Sequence, residues 1–156
     1  MKNPKHKVPL IGVIGGNTCS EEEYALAEEV GRFISRAGAY LICGGMSGIM
    51  EAACKGAAEA GGVTIGILPT EDVSAANPYV KIPIATGMGI GRNIIIVRTA
   101  SSLIAINGKY GTLSEIAFAL QLSKPVVALS PWLDVPGIVT VHTAEEAVNL
   151  ALQLAK

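Results

Sequence analysis

Short apolar runs that never alternate with polar residues recur along this chain, and each leads through a turn into a helical pattern. Val8 to Gly15 is the first, Ala39 to Cys43 the second and Val63 to Leu68 the third. A strand with one wet face alternates apolar and polar side chains. A run that is apolar throughout belongs to a sheet covered on both faces, which is the environment of parallel strands between helices. Between the runs, the helices are marked by their caps. Ser20 with Glu23 reads as a capping box, opening a helix that continues to about Ala37 and stops at Gly38. Ser47 to Ala60 reads as a second helix, closed by Gly61-Gly62. Strand, helix and strand in this rhythm make βαβ units with right-handed crossovers.

The remainder repeats the rhythm less evenly. Pro69 to Tyr79 reads as an exposed loop and Val80 to Ala85 as a short strand. Gly87, Gly89 and Gly91 interrupt the chain before a helix predicted from about Arg92 to Thr99. Leu103 to Ile106 is the next strand, Leu113 to Leu122 a helix, and Val126 to Leu129 another strand. After a turn-rich connection from Pro131 to Pro136, Ile138 to Val141 forms an edge strand. Thr143 then caps a last helix, with Glu146 in its capping-box position. No repeat or linker divides the 156 residues, so the chain is expected to be one domain over 1–156, an α/β protein built as a three-layer α/β/α sandwich. Residues 1–7 are basic but lack the apolar region and cleavage pattern of a signal peptide, and are expected to form a flexible tail.

Composition narrows the function classes. Half of the residues are hydrophobic and 16% are charged, against roughly 25% charged in an average soluble domain. No apolar run approaches the ~20 residues that span a bilayer, so a membrane role is not expected. The apolar surplus instead suits a doubly covered sheet plus a face hidden in a homodimer or homotetramer. A net charge of -1, with Arg32, Arg36, Arg92 and Arg98 as the arginines, excludes a basic nucleic-acid footprint. Cys19, Cys43 and Cys54 show no C-x-x-C spacing, which fits reduced thiols in a cytoplasm. His6 and His142 are far apart, so no metal site is expected, and with Asp72 and Asp134 as the aspartates a Ser-His-Asp triad is excluded as well.

Chemistry is expected at three glycine-bearing turns. Ile104 to Ile106 runs into Asn107-Gly-Lys-Tyr-Gly-Thr112, and a helix follows. Beyond the carboxyl end of such a strand, free N–H groups and the positive end of a helix dipole suit a phosphate. Gly108, Gly111 and Thr112 would cradle it and Lys109 would neutralise it. Thr112 and Glu115 also form a T-x-x-E capping box; local grounds favour capping for Glu115, with contact to a ligand hydroxyl or acid–base work as the alternative. Upstream, Gly44-Gly-Met-Ser-Gly48 offers a second cradle through Gly44, Gly45, Ser47 and Gly48. These glycines, with Ala52, Ala53, Ala57 and Ala58, equally suit close helix packing, and no dinucleotide fingerprint is present. The third turn ends in Arg92-Asn93, where the guanidinium fork could hold phosphate or pair with a carboxylate. Met88 and Gly16 complete the ligand-binding candidates. Arg98 is read as structural or interfacial, and Arg32 with Arg36 as a solvated helix face.

The three turns, in this order, resemble those of the LOG-like superfamily, whose members are often called lysine decarboxylase-like. Gly44-Gly-Met-Ser-Gly-Ile-Met50 is similar to that family's G-G-G-x-x-G-x-M, and Asn107 to Glu115 to its P-G-G-x-G-T-x-x-E, while Arg92 falls at the family arginine. The resemblance covers about positions 8–130 and implies a mostly parallel, Rossmann-like sheet and a dimer formed through helices near the site. It also implies one activity for members with the full motif, the removal of ribose 5′-phosphate from a nucleoside 5′-monophosphate, with Arg92 and Glu115 catalytic. This chain departs from that motif. Asn107 replaces the proline, Lys109 a glycine, and Asn93 the lysine that follows the arginine. In these respects it looks more like the branch that contains molybdenum-cofactor carrier proteins, which hold a ligand. The expectation is therefore a cytoplasmic carrier of a phosphorylated nucleotide-like or pterin-like ligand, with no resident cofactor and a molybdopterin-type or nucleotide cargo. A LOG-type phosphoribohydrolase and a nucleotide-sensing regulatory oligomer are the alternatives. Lysine decarboxylation is not expected, since Lys124 sits at a helix–strand junction without a pyridoxal-site constellation.

Overall fold

The computed structural model describes residues 7–155. All of the predicted tail except Lys7, including His6, lies outside these residues. Strands β1 (Leu10–Gly15), β2 (Tyr40–Cys43), β3 (Thr64–Leu68), β4 (Ile82–Ala85), β5 (Ser102–Ile106), β6 (Val126–Leu129) and β7 (Val139–Val141) form one sheet. Its order is β4-β3-β2-β1-β5-β6-β7, and every pair is parallel. The helices are α1 (Glu21–Arg36), α2 (Ile49–Glu59), α3 (Asn93–Thr99), α4 (Tyr110–Gln121) and α5 (Ala144–Leu154).

The continuous apolar runs are explained by two cores, one on each side of the sheet. Ile11 and Val13 of β1 pack with α1, α2 and α5, whereas Ile14 packs with α3 and α4. Successive side chains of a strand point to opposite faces, so a strand covered on both is apolar throughout except where a buried hydroxyl is hydrogen-bonded, as at Thr64 and Ser102. The result is the three-layer sandwich, with a sheet wholly parallel rather than mostly so.

On the first side the helices touch backbone to backbone. A Cβ at Gly31 of α1 would run into the carbonyl oxygen of Ala53, and one at Gly56 of α2 into that of Glu28. Around this crossing, Arg32 pairs with Glu28 at 3.0 Å and with Glu59 at 3.7 Å, and Lys55 pairs with Glu28 at 3.4 Å. Arg32 is thus part of a half-buried ion network between α1 and α2 and does not lie on a solvated face. The second side is thinner. Lys124, between α4 and β6, donates to the carbonyls of Arg98 and Ala100 (3.2 and 2.7 Å) and so closes the end of α3. Phe118 of α4 and Leu122 just after it stay exposed there, as does Trp132 in the following loop.

Helix starts follow local chemistry with two exceptions. Ser20 and Glu23 bond reciprocally at 3.1 Å, so the capping box on α1 forms. At α5, Thr143 accepts from the Glu146 amide, while the Glu146 carboxylate accepts from the amide of His142, one residue before the cap. Helix α2 starts at Ile49 rather than Ser47, because Gly48 takes a conformation (φ 67°, ψ -126°) that L side chains rarely adopt. Helix α4 opens at Tyr110, three residues earlier than predicted, and Lys109 precedes it with no side-chain cap bond. The T-x-x-E box over Thr112 and Glu115 therefore does not exist.

Candidate functional site

Strand order reverses between β1 and β5. From β1 the chain moves through α1 to β2 on one side, and from β5 through α4 to β6 on the other. At such a switch point the two strands diverge into their turns and leave a crevice beyond their carboxyl ends. A cleft of about 370 Å³ opens there. Its walls are the turn after β1 (Gly15, Gly16, Asn17, Thr18), the turn after β5 (Asn107, Gly108, Lys109) and the start of α4 (Gly111, Thr112, Glu115). Arg92 and Asn93 close it from the α3 side, with Met50 and Ile90 adding apolar surface.

Arg92 is not an exposed helix start. It ends a single 3-10 turn (Gly89–Arg92) ahead of α3 and is only 9% exposed. Its Nε donates to the carbonyl of Ile67 at 2.9 Å, and Nη1 donates to the Oδ1 of Asn93. Gly44 is what admits the guanidinium: a Cβ there would lie 2.7 Å from Nη2. Burial holds the Arg92 pKa below its ordinary value, opposed by the nearby Glu115 carboxyl. An arginine that lines the cleft and is already fixed on two sides needs little further ordering to meet an anion.

Glu115 faces the same cleft and is 7% exposed. The close ion pairs of the described residues lie on α1 and α2, and Arg92 with Glu115 is not one of them. Desolvation pushes the Glu115 pKa up to about 8; Arg92 works against this and Cys43 adds to it. At neutral pH the side chain is therefore mainly a neutral acid.

The turn after β5 is held open by unusual backbone. Asn107 has φ 45° and Gly108 φ 102°, and a Cβ at Gly108 would strike the side chain of Thr112. Asn107 donates from Nδ2 to Glu23 Oε1 at 2.5 Å, while the other oxygen of Glu23 serves the α1 cap. Lys109 is exposed at the mouth. Beside it, Tyr110 and Trp132 meet edge to face at 5.1 Å, over a small apolar crevice that shares Asn107, Lys109 and Thr112 with the main cleft.

The structure thus brings Gly16, Arg92, Asn93, Gly108, Lys109, Gly111, Thr112 and Glu115 together. It places the second glycine turn behind the cleft. Besides Gly44, Gly45 packs on Leu68 and Gly66, the backbone of Gly48 abuts Gly16 and Asn17, and Ser47 Oγ donates to the Asn17 carbonyl at 2.8 Å. Met88, half exposed, lies outside the cleft lining. Asn17, Thr18, Met50 and Ile90 line the cleft without having been singled out in the sequence. The available signal was topological: Gly15-Gly16-Asn17-Thr18 ends the strand that becomes the sheet's switch point. Behind Arg92, the buried thiols of Cys43 and Cys54 lie 3.5 Å apart. The Cys43 contact and burial push the Cys54 thiol pKa up.

Residues 8–155 match the SLOG cluster4 family. An uncharacterized protein of Archaeoglobus fulgidus is 45% identical over 146 residues, 94% of this chain and 96% of its own. Among solved structures, the molybdenum cofactor binding protein from Rippkaea orientalis superposes with a TM-score of 0.90 at 32% identity, over 97% of this chain and 99% of that one. The molybdenum cofactor carrier protein of Chlamydomonas reinhardtii does so with a TM-score of 0.85 at 35% identity, over 95% and 98%. The chain belongs to the SLOG cluster4 family.

Proposed function

We propose that this SLOG cluster4 protein carries a phosphate-bearing ligand of pterin or nucleotide type in the cleft between β1 and β5, and that it does not hydrolyse it. The observation that supports this best is what faces the cleft. One locked guanidinium (Arg92), one mobile ammonium (Lys109) and the glycine-bearing start of α4 favour an anion. Facing them is a single carboxyl that burial keeps mainly neutral at pH 7. Hydrolysis needs a group that draws a proton from water, and the cleft lining holds no histidine and no second carboxyl. The likeness to the Rippkaea and Chlamydomonas proteins supports a molybdopterin-type cargo. The three free cysteines of the described residues suit a reducing cytoplasm, and no described helix is long and apolar enough to cross a membrane.

Exposed Phe118, Leu122 and Ile90, on and just after helix α4 and in the turn before α3, support assembly through this layer into a homodimer or a dimer of dimers. Adenosine 5′-monophosphate serves as an accessible probe of the site. It is expected to raise the melting temperature without releasing ribose 5′-phosphate, and Arg92→Ala is expected to weaken its binding by about 1.5–3 kcal/mol, the range for hydrogen bonds to charged groups. Rapid release of ribose 5′-phosphate, lost in a folded Glu115→Gln variant, would replace the carrier with a phosphoribohydrolase.

A further inference from the structure

Glu115 presents a problem for any anion carrier. A ligand that approaches Arg92 and the start of α4 must come up against a carboxyl that is nine-tenths buried in the same cleft. Among the described residues, no donor or acceptor is bonded to that carboxyl, yet no buried side-chain oxygen is left sealed without a partner. Its oxygens therefore open onto the cleft. The titratable groups around it are few. Arg92 comes from the turn before α3 and Cys43 from β2, and Lys109 and Tyr110 stand at the mouth on its own helix and the turn before it. Arg92 is spoken for on two sides by Ile67 and Asn93 and forms no close pair with Glu115. The neighbouring Asn93 and Asn107 are engaged by Arg92, Ser114 and Glu23.

We propose that Glu115 binds the ligand as a neutral hydrogen-bond donor, so that capture of a phosphate-bearing ligand takes up a proton whenever the free protein has lost it, and rising pH drives release. This rests on the reading of the cleft as an anion site. Ionised, Glu115 would set a second negative charge against the phosphate in a desolvated space. Neutral, it offers an O–H that a phosphate oxygen or a ring carbonyl accepts. The cleft then selects for ligands that present an acceptor at this point.

The charge of the free carboxyl sets the pH window. Below about pH 8 Glu115 is already protonated, and binding takes up little. Above it, the proton must be supplied with the ligand, and affinity falls toward ~tenfold per pH unit, the slope for one proton. A phosphate monoester has its second pKa at about 6, so the probe's charge is constant over this range.

Calorimetric titration with adenosine 5′-monophosphate, from about pH 7.5 to 9.5 in two buffers of different ionisation enthalpy, reads the uptake directly. The expected result is an uptake rising toward one proton, with a parallel loss of affinity, both abolished in Glu115→Gln. Uptake that persists in the variant would assign the proton to another group of the site, Cys43, Lys109 or Tyr110, and overturn the proposal. So would a flat affinity in the parent, whatever becomes of the variant. If the nucleotide binds without proton uptake, the anion site stands and only the role of Glu115 falls. If neither it nor inorganic phosphate binds at any pH, both fall together.

Discussion

The two sides of the sheet are built by opposite means. On the α1–α2 side the helices are brought together by the absence of side chains: Gly31 and Gly56 let the two backbones touch, and charged pairs surround the crossing. On the α3–α4 side there are two helices, the short α3 is closed by the Lys124 ammonium, and large apolar side chains remain at the surface. The first side tolerates no added atom. The second has surface to spare, and it is the side that delivers Arg92, Asn93 and Glu115 to the cleft. The tightest helix packing and the charged residues of the cleft thus lie on opposite sides of one sheet, joined at β1 and β5.

The contrast breaks most sharply at the glycine crossing. Gly56→Ala sets a methyl against the backbone of Glu28, which cannot swing aside as a side chain would. The expected destabilisation is about 3 kcal/mol, the upper end for overpacking, or roughly 6–12 °C in melting temperature for a domain of this size. Melting within about 1 °C of the parent would show that the two helices slide apart freely.

Lys124→Met tests the other side. It keeps the apolar stem and removes the donor to the Arg98 and Ala100 carbonyls. The expected cost in urea denaturation is about 1 kcal/mol, the net worth of an ordinary hydrogen bond. A loss as large as that of Gly56→Ala would abolish the asymmetry between the two sides.

Phe118→Glu has the smallest expected effect on the folded monomer, within about 0.5 kcal/mol, because the side chain is 41% exposed. Its effect belongs to assembly: sedimentation at micromolar concentration is expected to shift toward the 16.1 kDa monomer. An unchanged sedimentation profile would move the self-association surface elsewhere.

The fold was legible in the sequence because its signals are local and redundant. Each covered strand is an apolar run, and Ser20, Gly38 and Thr143 mark helix ends through bonds to near neighbours. Much of the cleft was legible too, since a switch-point crevice is lined by strand-end turns. What could not be read was orientation. Thr112-x-x-Glu115 satisfies a capping pattern, but α4 opens at Tyr110, after the positive-φ pair Asn107-Gly108, and Glu115 then lies more than a turn inside, near Arg92. Likewise Gly44 resembles a phosphate cradle, while its actual neighbour is a guanidinium arriving from a residue 48 positions later in the chain. Such partners are fixed by tertiary packing, which local spacing does not encode.

One carboxylate ties the first helix of the fold to the turn that walls the cleft. Glu23 accepts from the Ser20 amide with one oxygen and from Asn107 with the other. The first turn of α1 and Asn107, a residue of positive φ, are thus joined across 84 residues of chain. On the proposed reading, a cargo seated against the β5 turn is expected to slow hydrogen exchange at the start of α1 as well as where it touches.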